Sequence, residues 1–115
     1  MSEFTIYHNP RCTKSRATLA LLEGRGIKPR IVEYLKTPPS AAELKRLSTL
    51  LGVTPRELVR RKETEYKKAG LNDDSTDAQI LRAMVECPIL IERPIVVAGD
   101  KAALGRPPQN VLKII

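Results

Sequence analysis

The stretch Phe4-Thr5-Ile6-Tyr7-His8-Asn9-Pro10-Arg11-Cys12-Thr13-Lys14-Ser15-Arg16 decides how this chain is read. A short apolar strand, Phe4 to Tyr7, stops at a proline and gives way to a helix whose start coincides with a cysteine. Thiol reactivity is governed by pKa: near ~8.5 a cysteine is only a few per cent thiolate at neutral pH, whereas near ~6.5 it is mostly ionised. Placement at or just before a helix N-terminus favours the anion, because the first N–H groups lack carbonyl partners and the macrodipole is positive there. His8, Arg11, Lys14 and Arg16 add cationic or hydrogen-bonding groups, with Arg16 one turn along on the same face. The same donors suit an oxyanion beside the sulfur. An inert packing role for Cys12 accords poorly with neighbours that are polar and cationic rather than apolar.

Working outward, Thr13 to Glu23 carries Ala17, Leu19, Ala20, Leu21 and Leu22 at spacings a helix accepts, and Gly24 or Gly26 ends it. Arg30 to Leu35 reads as a second strand, and a helix crossing between two neighbouring strands favours parallel pairing. After Pro38-Pro39, Ser40 with Glu43 forms a capping box ahead of Leu44, Leu47, Leu50 and Leu51. Thr54-Pro55 opens a short helix, Glu63 to Asn72 has room for a turn or two more, and Thr76 with Gln79 starts a helix that stops at Pro88. Residues 40–87 therefore read as a helical block. From Arg93 the pattern changes to a hairpin, Ile95 to Ala98 and Lys101 to Leu104 around Gly99-Asp100, and then to a closing helix with Val111, Leu112, Ile114 and Ile115 apolar. The order is β-α-β, helices, β-β-α. This is the α/β thioredoxin-like order with a helical insertion after the second strand, in which Pro94 stands where that fold uses a cis peptide.

The 115 residues suffice for one domain, 1–115, without disulfide or metal staples. Met1-Ser2-Glu3 leads into the first strand with no leader pattern, and no apolar run reaches membrane-spanning length, so a cytoplasmic protein with no membrane partner is expected. Cys12 and Cys87 are too far apart in sequence for a CxxC pair or a ligand cluster, so no metal is expected, and Cys87 reads as structural. Twenty basic residues against 13 acidic ones, a formal charge of +7, favour anionic partners. Nucleic acid is disfavoured, because only 3% of residues are aromatic and the stacking platforms that hold single strands are missing. A small inorganic or phosphorylated anion fits better.

Five segments carry a wider resemblance: Tyr-His-Asn-Pro-Arg-Cys-Thr-Lys-Ser-Arg (7–16), Tyr-Leu-Lys-Thr-Pro-Pro (34–39), Leu-Val-Arg-Arg-Lys (58–62), Glu-Arg-Pro-Ile-Val-Val (92–97) and Gly-Arg-Pro-Pro (105–108). In this order and spacing the chain resembles the glutaredoxin-linked arsenate reductase family over nearly its whole length. The resemblance implies an oxidoreductase in which Cys12 attacks arsenate, or a similar oxyanion, cradled by Arg60, Arg93 and Arg106. It further implies that His8 helps hold the thiolate and that the Ser15 hydroxyl points back at the sulfur; Arg16, from its own place one turn along the helix, reads as a secondary anion contact. Glutathione is the implied reducing co-substrate and glutaredoxin the implied partner, with no bound cofactor. Charge repulsion between a thiolate and an arsenate dianion makes fixed positive charge and forked donors a physical need. Thr13-Lys14 stand where the best-known members carry Gly-Thr, as in a sister branch. Two alternatives share the fold: a redox-responsive binding protein, disfavoured because Ser15 occupies the place of a second cysteine, and a glutathione-linked thiol transferase that does not act on arsenate.

Overall fold

Ile31, Ile6, Val96 and Ala103 stand side by side in neighbouring strands, and the last three make one inner face of the sheet. The computed structural model describes residues 3–115; Met1 and Ser2, part of the start read as carrying no leader, lie outside the described residues. Strands β1 (Phe4–Tyr7), β2 (Arg30–Val32), β3 (Ile95–Ala98) and β4 (Lys101–Leu104) form a sheet of order β2-β1-β3-β4. β1 pairs in parallel with β2 and antiparallel with β3, and β3 pairs antiparallel with β4. Leu22 of helix α1 (Thr13–Gly24) and Val111 of the closing helix cover that inner face, with Phe4, Leu19 and Ile27 packed around them. Removing a side chain of this size from water contributes about 1.5–3 kcal/mol. That burial is what holds α1, and the cysteine at its start, to the sheet.

The chain divides into two compact units, residues 1–37 with 93–115 and residues 38–92. The first is the sheet unit. The second holds α2 (Ala41–Leu51), α3 (Pro55–Leu58), α4 (Thr64–Lys68), α5 (Asp77–Glu86) and a 3-10 turn, Pro88–Leu90. Its start signals act as their chemistry requires: Ser40 Oγ accepts from Glu43 N–H at 3.1 Å, and Thr76 and Gln79 form a reciprocal capping box at 3.2 and 2.8 Å. Leu44, Leu47, Leu58, Ile80 and Met84 are fully buried. The charge is divided unequally between the units. The sheet unit has eleven basic and four acidic residues, the helical unit nine of each, so the whole excess that attracts anions belongs to the sheet unit.

Three elements differ from the sequence reading. β2 ends at Val32 instead of running to Leu35, because the Glu33 carbonyl accepts from Lys36 N–H at 2.9 Å and Thr37 N–H at 3.0 Å and closes a turn. The closing helix, Pro108–Ile114, is 3-10, in keeping with two prolines at its entry and β-branched Val111 and Ile114 within it. Peptides Arg93–Pro94 and Arg106–Pro107 are both cis, where only the first was expected. Elsewhere the turns agree with their residues: Gly99 takes φ 64° at the first central position of the β3–β4 hairpin, and Gly26 takes φ 76° just past the end of α1.

Candidate active site

Carrying the sheet register past its last row builds the site. Tyr7, Ile95 and Leu104 form that row, and Gly105 N–H donates to the Pro94 carbonyl at 2.9 Å, extending the β3–β4 ladder by one pair. Arg93 and Arg106 flank this last bond, each in a bend that precedes a cis proline. Arg106 Nη1 donates to the Arg93 carbonyl at 3.4 Å, so residues 13 apart in sequence meet at one end of the sheet. His8 follows Tyr7 at the same end, its N–H on the Val32 carbonyl at 2.8 Å.

Cys12 occupies the N-cap position of α1 with extended backbone, φ −91° and ψ 123°. Asn9 shapes the turn that brings it there. Its carbonyl accepts from Cys12 N–H, its Oδ1 from Arg11 N–H, and its own N–H donates to Ser15 Oγ, all at 3.0 Å. The first turn of α1 contains no acidic residue, whereas Lys14 and Arg16 are both exposed there. Cations beside the positive end of the dipole cost helix stability unless an anion sits among them. Burial by itself pushes the Cys12 thiol up, but the N–H groups of Ser15 and Lys14 and the charge and donor of the Arg93 guanidinium outweigh it. The thiol is held below its ordinary value.

His8 is 6% exposed, with Nδ1 2.6 Å from Ser15 Oγ. Burial lowers its pKa, against a smaller opposing pull from Glu33, so it is a neutral imidazole at neutral pH. It supports the site as a hydrogen-bonding group and not as one of the cations. The Ser15 hydroxyl, expected to point at the sulfur, is shared between His8 and Asn9, and it is the Ser15 backbone N–H that faces Cys12. A hydroxyl with no solvent exposure must find its partners inside, and these two are in reach.

Arg60 belongs to the helical unit, where its guanidinium pairs with Glu63 at 2.6 Å and Glu92 at 3.9 Å. Cys87, half-buried, ends α5 in the same unit with its N–H on the Ala83 carbonyl at 2.8 Å. Arg16 is exposed on the first turn of α1. Among the described residues no three His, Cys, Asp or Glu side chains gather as a metal site requires, and no helix is long and apolar enough to cross a membrane.

A family model, that of the ArsC family, matches residues 7–114. The chain belongs to the ArsC family. It is 48% identical over 117 residues to an arsenate reductase of Neisseria meningitidis serogroup A, covering the whole of both chains. It is 53% identical over 112 residues, 96% of this chain and 94% of the other, to the uncharacterized protein YfgD of Escherichia coli strain K12. Among solved structures, an arsenate reductase from Vibrio cholerae superposes with a TM-score of 0.95 at 50% identity, covering 99% of this chain and 98% of that one. The architecture of this ArsC-family chain is the thioredoxin-like α/β fold.

Two residues that shape this end of the sheet unit, Asn9 and Thr18, carry only weak signals in the sequence. Asn9 was visible only as half of the turn dipeptide Asn9-Pro10. Thr18 is fully buried in α1 on one stripe with Ser15 and Leu22, so the packed face of this helix is partly polar while Ala17 and Ala20 face solvent. The spacing of Ser15, Thr18 and Leu22 at i, i+3 and i+7 is the signal of this stripe, and it shows only when polar residues are counted on the buried face along with apolar ones.

Neutral His8 also makes a pH prediction. Its folded pKa lies below the unfolded value, so the unfolded chain binds the extra proton. The stability it contributes is present above the ordinary histidine range and is lost as pH falls through that range toward the lowered folded value. Urea midpoints are expected to drop from about pH 7.5 to about pH 5.5 more steeply in the parent than in His8→Gln. Equal slopes would remove His8 as the source.

Proposed function

We propose that this chain is an arsenate reductase that draws its electrons from glutathione and glutaredoxin. The observation that carries the proposal is a thiol at the N-cap of α1 held toward its thiolate form, against burial, by the Ser15 N–H, the Arg93 guanidinium and the Lys14 N–H, with Arg106 donating to the Arg93 carbonyl. In this reading Cys12 is the nucleophile, and Arg93 and Arg106 hold the oxyanion through forked, charge-assisted bonds. His8 and Ser15 keep the first turn of α1 in place so that its N–H groups stay on the sulfur. Arg16 adds positive charge one turn along. Arg60 is assigned as a third anion ligand from the family resemblance, and its pairing with Glu63 would have to be exchanged for the anion.

The electron count defines the cycle. Cys12 displaces one arsenate oxygen, which leaves as water, and a glutathione thiol displaces a second. A glutaredoxin thiolate then attacks the glutathione sulfur; the arsenic–sulfur bond breaks with its electron pair on arsenic, which becomes trivalent, and a glutathione–glutaredoxin mixed disulfide forms. Water releases arsenite and regenerates the Cys12 thiolate. External thiols are needed in this reading because Ser15 stands where a resolving cysteine would follow Cys12.

The test is a coupled assay with arsenate, glutathione and glutaredoxin that follows reductant consumption. Arsenate-dependent turnover is expected. Turnover of a glutathione mixed disulfide with no response to arsenate would replace the reductase with a glutathione-linked transferase working at the same thiol.

A further inference from the structure

Gly105 lies in the sheet unit where the exit from β4 meets helix α1 with no room for a side chain. A Cβ built on Gly105 would stand 2.3 Å from Thr18 Oγ1, 2.7 Å from Pro94 Cγ and 3.0 Å from Thr18 Cγ2, closer than carbon contacts allow. The φ of Gly105 is not positive, so the need for glycine here is one of space and not of backbone conformation. Neither neighbour can step aside. Thr18 is β-branched and fully buried, and its hydroxyl donates to the Lys14 carbonyl at 2.8 Å and more weakly to the Gly105 carbonyl at 3.4 Å. Pro94 is a buried ring whose carbonyl accepts the Gly105 N–H.

These three residues tie together what the proposed chemistry brings into contact. Thr18 rides on the helix that starts at Cys12, Pro94 directly follows Arg93, and Gly105 directly precedes Arg106. We propose that Gly105, seated against Thr18 and Pro94, is a positioning residue that sets how close the Arg93–Arg106 pair stands to the Cys12 thiolate. A methyl group at 105 wedges α1 away from the two arginine-bearing turns. The sulfur then loses part of the guanidinium's charge and hydrogen bond, and a bound oxyanion loses simultaneous contact with both arginines. The inference rests on the reading of Cys12 and the arginines as one anion site, and its test does not require arsenate turnover.

The experiment is done in a Cys87→Ala background so that Cys12 is the only thiol. The rate of iodoacetamide alkylation is followed against pH, and sulfate is titrated as protection against it. Gly105→Ala is expected to raise the Cys12 pKa enough to slow alkylation at neutral pH by roughly tenfold, and to weaken sulfate protection by roughly tenfold, with far-UV circular dichroism unchanged. Gly105→Ala with Thr18→Ala removes two of the three overlaps and is expected to recover most of both losses. A structural role alone would lower the melting temperature without moving the thiol titration. Thr18→Ile thickens the same contact from the helix side, leaves residue 105 intact, and is expected to shift the thiol in the same direction; it serves if Gly105→Ala does not fold. Parent-like titration and protection in folded Gly105→Ala or Thr18→Ile overturn the proposal. If the shifts occur while the parent protein does not reduce arsenate, the positioning role stands and the substrate assignment falls.

Discussion

Cys12→Ser is expected to lower arsenate-dependent turnover by on the order of 10³-fold or more, with little change in melting temperature or in sulfate binding. Serine is close in size, and a hydroxyl at an N-cap is if anything a better cap than a thiol, so helix α1 survives the exchange. What is lost is the nucleophile, because a serine hydroxyl remains protonated where the Cys12 thiol is drawn toward ionisation by the Ser15 and Lys14 N–H groups and Arg93. Retained sulfate binding beside abolished turnover would separate the role of the sulfur from that of the cations. Substantial residual turnover would sink the assignment of Cys12 as the attacking atom.

Arg93→Ala is expected to act on two readouts at once. Oxyanion affinity should fall by about 1.5–3 kcal/mol, the scale of one charged hydrogen bond, which is roughly tenfold to more than a hundredfold. The Cys12 thiol should also titrate at higher pH, since Arg93 is the charged side chain that lowers it. Arg106→Ala should weaken the anion by a similar amount with less effect on the thiol, because Arg106 is not among the groups that shift it. Arg93→Lys keeps the charge without the fork and should restore the thiol titration better than the anion affinity. If Arg93→Ala binds sulfate as the parent does and Cys12 titrates unchanged, the pairing of thiol and guanidinium has no functional weight.

Local chemistry made much of the architecture legible. Pro10 and the polar run after Tyr7 end the first strand; Ser40, Thr54-Pro55 and Thr76 start helices, and Gly99-Asp100 turns a hairpin, each through groups that act within a few residues of themselves. The misjudged pieces were those decided by competition. The Glu33 carbonyl could serve strand β2 or a turn, and it serves the turn. The segment after Pro107-Pro108 had the apolar spacing of an α-helix and became a 3-10 helix. The burial of Thr18 on α1 is not legible in the sequence, because a polar residue becomes part of the packed face only once the sheet unit closes over it.

The sequence by itself determined that a thiol stands at a helix start, that the strands and helices follow the thioredoxin-like order, and that the chain carries a surplus of positive charge. Those properties depend on neighbours along the chain and on composition. Tertiary structure alone decided that the Arg106 guanidinium meets the Arg93 carbonyl, that His8 is buried and neutral, that Ser15 turns its hydroxyl to His8 and its N–H to the sulfur, and that Gly105 has no space for a methyl group. Register, desolvation and steric contact each depend on what packs against a residue from a distant part of the chain, and no spacing along the sequence encodes that distance.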